Sequence, residues 1–274
     1  MPLDPACTGK VYPPFQIRVR AESIHRFARA IQEDNPLFVE EARRSGTLAP
    51  PLYAVLMALP ALRRVLTDPA LATGPVRLVP RNCEFHFTRP IRPTREIALT
   101  AIIEEVTRDE EGEVAVVRIE ALRRRELPVF EGRVRFVDVQ AGGTTPPPEP
   151  ASGFVRPPLA FRTPAQVRDG APFLGSTPPE PELGSHTSTR VFLSHALALA
   201  YAAKAIRDSS VTRDPYQLKR IAARLLRPLR AGELIHTAGW IRETRRGTTF
   251  FEFEVLDGKG SVIVAEGEAQ VVLR

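Results

Sequence analysis

The stretch Phe15-Gln16-Ile17-Arg18-Val19, running through Ile24, Phe27, Ala28 and Ile31 to Asp34-Asn35-Pro36-Leu37-Phe38 and on to residues 52–59, decides the fold. Phe15, Ile17 and Val19 alternate with Gln16 and Arg18, the period of a half-buried strand. Ile24, Phe27, Ala28 and Ile31 recur at i, i+3, i+4 and i+7, one face of a helix. Asp34-Asn35-Pro36 is expected to stop that helix, because a residue before proline is pushed out of the helical region. Residues 52–59 carry no charge, which marks a second helix buried on all sides. Pro60 falls inside this second run, continued to residue 66, and is expected to kink the helix or make it restart.

Working outward, residues 1–14 are Pro-rich and read as irregular, and 67–75 read as loop. Four strand-like segments follow at 76–87, 96–106, 114–122 and 129–139, with a turn at Asp109-Glu110-Glu111-Gly112. Strands joined by short polar turns predict an antiparallel meander. Residues 140–153 are a linker by composition, with no large apolar side chain to anchor a core and prolines that stiffen the path.

The second half echoes the first. Arg89-Pro90-Ile91-Arg92 returns as Arg227-Pro228-Leu229-Arg230, Glu96-Ile97 as Glu233-Leu234, and Glu131-Gly132 as Glu266-Gly267. Three matches in order at a nearly constant offset mark an internal repeat. An Ala- and Leu-rich helix at 193–207 precedes the second set of strands. The reading is α+β: a unit at 1–139, the linker, and a second unit at 154–274, each wrapping a central helix, with the two sheets joined edge to edge. Residues 161–190 break the repeat, being Pro-rich where a first helix belongs.

This order, down to Asn35-Pro36-Leu37, resembles the MaoC-like hydratase and dehydratase superfamily of double hot-dog folds. The N-terminal half resembles the dehydratase domain of fungal fatty-acid synthase. Such domains carry an Asp-x-Asn-Pro-x-His loop after the first helix. Asn35 and Pro36 match it, but Glu33 stands where the Asp belongs and Phe38 where the His belongs. The Leu-His-Gly-Glu-Gln-like run that the family often places before its meander is Val79-Pro80-Arg81-Asn82-Cys83 here, again without the His.

The resemblance implies an acyl-thioester ligand, on CoA or an acyl carrier protein, and a hydro-lyase of the 3-hydroxyacyl dehydratase type if the chain is active. No cofactor and no metal site are implied. Glu33, Asn35 and His195 are the candidate catalytic residues, Glu33 filling the carboxylate's role one methylene longer. Asp34, Arg89, Arg227 and the backbone N–H of Ala196 are the candidate substrate contacts. Ala196 is included because the family uses an amide at the start of a central helix to bind the thioester oxygen. The same loop admits a structural reading, in which Asn35 turns the chain, Glu33 and Asp34 are solvated and Phe38 packs. Function therefore divides between an enzyme and a non-catalytic thioester-binding or partner subunit. A hot-dog thioesterase is the weaker enzyme reading, since 52–66 has no acidic residue and the second central helix has none before Asp208.

His86, between Phe85 and Phe87, is expected to face away from both rings into a polar contact across strands. His25, His186 and His236 read as surface or loop residues. Net charge is +6, from 38 basic and 32 acidic residues. The basic residues are dispersed, and no recognition motif points to nucleic acid. Cys7 and Cys83 form neither a metal spacing nor a disulfide framework. No basic n-region precedes an apolar core, and no run is long enough to span a bilayer. The expectation is a cytoplasmic protein without membrane or nucleic-acid partners, a homodimer or a pseudo-dimeric monomer.

Overall fold

A computed structural model of the chain describes residues 3–39, 47–71, 78–123, 127–138, 161–166, 187–209, 217–229 and 232–272. The expected linker at 140–153 lies outside the described residues, as does most of 161–190 and with it His186.

Among the described residues ten strands form one sheet in the order β1-β3-β4-β5-β2-β7-β10-β9-β8-β6. The first five are β1 (Phe15–Val19), β2 (Leu78–Phe87), β3 (Thr94–Asp109), β4 (Gly112–Arg123) and β5 (Leu127–Asp138). The second five are β6 (Phe161–Gln166), β7 (Leu218–Leu225), β8 (Leu234–Arg245), β9 (Thr248–Asp257) and β10 (Val262–Val272). Read from each edge to the centre the two halves have the same order, so the repeat seen in the sequence is a repeat of topology. The pairing corrects the expected four-strand meander. Only β3, β4 and β5 follow one another in space, whereas β2 lies on the far side of β5, with Phe85 opposite Gly132. Within 161–190, where no regular first helix is expected, residues 161–166 form the second half's edge strand and pair with β8 as β1 pairs with β3.

The halves meet where β2 and β7 pair antiparallel, Asn82 with Arg224 through to His86 with Arg220. Alternation sorts this seam into two faces. Cys83, Phe85, Ile221 and Ala223 point into the core. On the other face Arg220 bonds Glu84 at 2.5 Å and Glu268 at 2.8 Å, and Arg224 bonds Glu111 at 2.8 Å. His86 is exposed and bonds Glu84 at 2.8 Å, so its polar contact is along its own strand rather than across strands.

Among the described residues four α-helices are present: α1 (Ala21–Ala30), the short α2 (Pro36–Val39), α3 (Tyr53–Leu66) and α4 (Thr187–Ser209), of which α3 and α4 lie against the sheet. The two central helices, α3 and α4, touch each other, and one apolar core runs through both halves. α3 continues through Pro60 without restarting, its apolar neighbours Ala58, Ala61 and Leu62 held in the core. Packing on both sides outweighs the single backbone hydrogen bond that the proline cannot donate. His25 is buried in α1 rather than exposed as expected, because it follows Ile24 on the broad face that turns inward.

The repeated glycines have a packing reason. A Cβ on Gly132 would sit 2.6 Å from the Phe85 ring, and one on Gly267 would sit 2.5 Å from the Phe253 carbonyl oxygen. The repeated Arg-Pro-Ile/Leu-Arg turns do equivalent work. The Ile91 carbonyl accepts from Ala49 N at the approach to α3, and the Leu229 carbonyl accepts from Ser194 Oγ in α4.

Candidate functional site

The site begins at the end of α1. Gln32 takes the left-handed conformation (φ 54°), its N–H donates to the Arg29 carbonyl and the Glu33 N–H to the Ala28 carbonyl. This is the Schellman arrangement that ends a helix and reverses the chain. The helix therefore stops before Asp34-Asn35-Pro36, and Pro36 instead opens α2, where a missing N–H costs nothing. The Asn35 side-chain oxygen accepts from Leu37 N at 3.0 Å, so Asn35 turns and caps the loop. Phe38 is fully buried.

The Schellman turn points Glu33 inward, and its side chain is 0% exposed. Glu33 is thus not solvated as in the structural reading of the loop. It accepts from Arg207 of α4 through both oxygens, Nη1 to Oε2 at 2.5 Å and Nη2 to Oε1 at 2.8 Å. Oε1 also accepts from the backbone N–H groups of Asp34 and Asn35, at 3.0 and 2.9 Å. The Arg207 guanidinium lies over the Phe38 ring, 5.4 Å from its centroid, and donates to Asp208 Oδ1. Burial lowers the Arg207 pKa, but its bonds to Glu33 and Asp208 outweigh that and hold it above the ordinary guanidinium value. Burial likewise pushes the Asp208 carboxyl up, yet Lys204 and Arg207 hold it below the usual carboxylate range.

Glu33, Lys204 and Arg207 line a shallow cleft, open to solvent, with a cavity volume of about 20 Å³. Its walls are apolar, from Ile31, Pro50, Pro51 and Leu52 on one side to Ala200, Ala203 and Leu218 on the other. Lys204, bonded to Asp208 at 2.6 Å and 3.6 Å from Asp34, stands at the opening. Asp34 is 76% exposed there. The cleft belongs to both units, since α1, the α2 loop and the start of α3 face the C-terminal half of α4. Tyr201 Oη donating to the Ala30 carbonyl at 2.8 Å adds a further tie.

The other expected site residues are elsewhere. α4 begins at Thr187, so His195 lies two turns inside the helix rather than at its start. The Ala196 N–H is then an interior helical amide, in register to donate to the i−4 carbonyl. His195 is buried, and twelve residues along α4 separate it from Arg207, about 18 Å at the helical rise. The central helices run antiparallel, the start of α3 lying beside the end of α4. Glu33 and His195 therefore sit at opposite ends of the pseudo-symmetric pair, and the structure does not bring them together. Arg89 is exposed after β2, whereas Arg227, at the equivalent turn after β7, is held by Glu233 at 2.6 Å and Asp257 at 2.8 Å. Among the described residues neither arginine lines the cleft. Sequence reading missed Arg207 and Lys204. The signal was present, as two cations spaced to share one face of an otherwise Ala- and Leu-rich helix.

Two curved antiparallel units, each holding a central helix and sharing one sheet, are the architecture of a double hot-dog protein. A family profile described as the FAS1-like dehydratase domain region matches residues 6–131. A UPF0336 protein of Saccharopolyspora erythraea is 31% identical over 155 residues, covering 54% of this chain and 97% of the relative. The crystal structure of a MaoC-like dehydratase from Phytophthora capsici superposes with a TM-score of 0.73 at 16% identity, covering 100% of this chain and 98% of the other. The peroxisomal multifunctional enzyme type 2 of Drosophila melanogaster gives 0.68 at 14% identity, covering 95% of this chain and 48% of that one. At these identities the two structures establish the fold.

The chain belongs to the family of UPF0336 proteins, and its fold is that of MaoC-like dehydratases. The match takes in 54% of this chain and almost the whole of the UPF0336 relative, so this chain is the longer of the two. Among the described residues no helix is long and apolar enough to cross a membrane.

Proposed function

We propose that this chain binds acyl thioesters, as CoA or acyl-carrier conjugates, in the cleft between its units, and does not add water to them. One observation carries the reading. The carboxylate at the family's acidic position is closed in a buried ion pair, and the residue at the family's His position is a buried phenyl ring. Water addition needs a group free to move a proton near the reacting carbons. Glu33 holds two guanidinium bonds and two backbone bonds instead, and Phe38 has no proton to move. The apolar walls suit an acyl chain, and Lys204 at the opening suits the polar end of a thioester or the phosphates behind it.

The test uses the full chain with crotonyl-CoA. Isothermal titration calorimetry is expected to show binding, while the enoyl absorbance stays constant through a long incubation. Loss of that absorbance at a rate that falls in Glu33→Gln would overturn the non-catalytic reading. Absence of binding would overturn the ligand class.

A further inference from the structure

The pseudo-twofold axis that relates the two units passes through the seam, and the repeat locates it. The N–H groups of Thr88 and Arg89 donate to the Val129 carbonyl just as those of Leu226 and Arg227 donate to the Ile263 carbonyl. Carried back along the strands, that equivalence makes Ala222 the counterpart of Glu84, Arg220 that of Asn82 and Arg224 that of His86. Glu84 and Ala222 also stand opposite each other in the pairing of β2 with β7, so the axis runs between them. The two strands are alike in backbone and unlike in charge. Two ion pairs cross the seam, Arg220 to Glu84 at 2.5 Å and Arg224 to Glu111, in the turn between β3 and β4, at 2.8 Å. In both, the cation belongs to the second unit and the anion to the first. All four side chains are between 15% and 27% exposed, so salt screens them only in part.

Self-pairing about the same axis would undo this arrangement. Two copies of β2 would set Glu84 opposite Glu84, with Asn82 where Arg220 stands and His86 where Arg224 stands. Two copies of β7 would set Arg220 opposite Arg224 and would supply neither Glu84 nor Glu111. Like charges directly opposite each other destabilise a sheet, and a partner is chosen by repulsion from the wrong one as well as by attraction to the right one. We propose that the charges of the seam fix the partner of each edge. The β2 edge takes a unit whose facing strand carries Arg220 and Arg224, and neither edge takes a second copy of its own unit. The seam is the interface of a mixed pair joined in one chain, and Glu84, Arg220 and Arg224 are its specificity-determining residues.

The experiment uses the full chain with a protease site placed within 140–153 and cut after folding. The cut chain is unfolded in urea and refolded, and native mass spectrometry counts mixed pairs and self-pairs. With the natural seam, mixed pairs are expected to exceed either self-pair by at least about twentyfold, against about twofold by chance. A smaller excess overturns the proposal. Glu84→Ala/Arg220→Asn removes the acid from one strand and gives the other the amide of its counterpart, and is expected to raise the self-pairs at least about threefold. A smaller rise also overturns the proposal, because the shape of the units and not the charge of the seam would then choose the partner. If the cut chain re-forms no pairs, the uncut chain decides. Reversing one charge, by Glu84→Arg or Arg220→Glu, is expected to lower the urea midpoint, and reversing both to recover at least half of the larger loss. Single reversals that cost nothing, or a double reversal that recovers less than half, overturn the proposal.

Discussion

Replacing Arg207 with Met tests the reading of the cleft most directly. The substitution keeps an unbranched side chain over the Phe38 ring and removes the charge. Glu33, with no exposed side-chain surface, then loses both guanidinium bonds and keeps only the N–H groups of Asp34 and Asn35. Breaking a buried pair from one side costs about 3–5 kcal/mol, mostly the penalty of a desolvated charge without its counterion. Loss of the cation–π contact at 5.4 Å adds about 0.5–1 kcal/mol. At about 2–4 °C per kcal/mol, the midpoint of thermal unfolding is expected to fall by roughly 7–24 °C. The double variant Glu33→Leu/Arg207→Met removes both charges at similar volume and is expected to recover most of that loss. Melting of the natural chain, both single variants and the double closes a cycle that isolates the pair. A loss below about 1 kcal/mol in Arg207→Met, or a double variant worse than either single, would refute a buried, desolvated pair.

Four further outcomes are expected. Gly267→Ala is expected to destabilise by about 1–3 kcal/mol, and by more than Gly132→Ala, because its new methyl meets the fixed Phe253 carbonyl rather than a ring that can shift; urea denaturation ranks them. Asp208 has a folded pKa below its ordinary value of 3.8, so its contribution is present above that pH and is lost as pH falls through the lower folded value. The melting difference between the natural chain and Asp208→Asn should accordingly be constant near neutrality and shrink below about pH 4. His195→Ala is expected to lower stability while leaving crotonyl-CoA affinity unchanged, since His195 is buried and does not line the cleft, whose nearest residue on α4 is Ala200, about 7.5 Å along the helix. Lys204→Ala is expected to weaken that affinity and its salt dependence, and calorimetry at two ionic strengths checks both.

Comparison of the loop with the family pattern shows why part of the site could not be read locally. That Phe38 packs and Asn35 turns the chain follows from their own chemistry and spacing. That Glu33 is buried does not, because nothing near it in sequence neutralises it. Its counterion lies on a helix of the other unit, 174 positions away. The placing of His195 failed for a related reason. An Ala-rich helix carries no sharp start signal, so a boundary six residues late put an interior residue at the terminus.

The sequence by itself determined the elements and their duplication. Alternation and 3.6-residue spacing are properties of neighbouring residues, and Arg89-Pro90-Ile91-Arg92, Glu131-Gly132 and their echoes mark one fold written twice. Only the tertiary structure decided that β2 returns beside β5, that β2 and β7 form the seam, and that the two central helices run antiparallel. Those facts depend on which surfaces pack across distances the chain spans only when folded. It is this packing that sends Glu33 to Arg207 and leaves His195 twelve residues back along α4, buried and away from that pair.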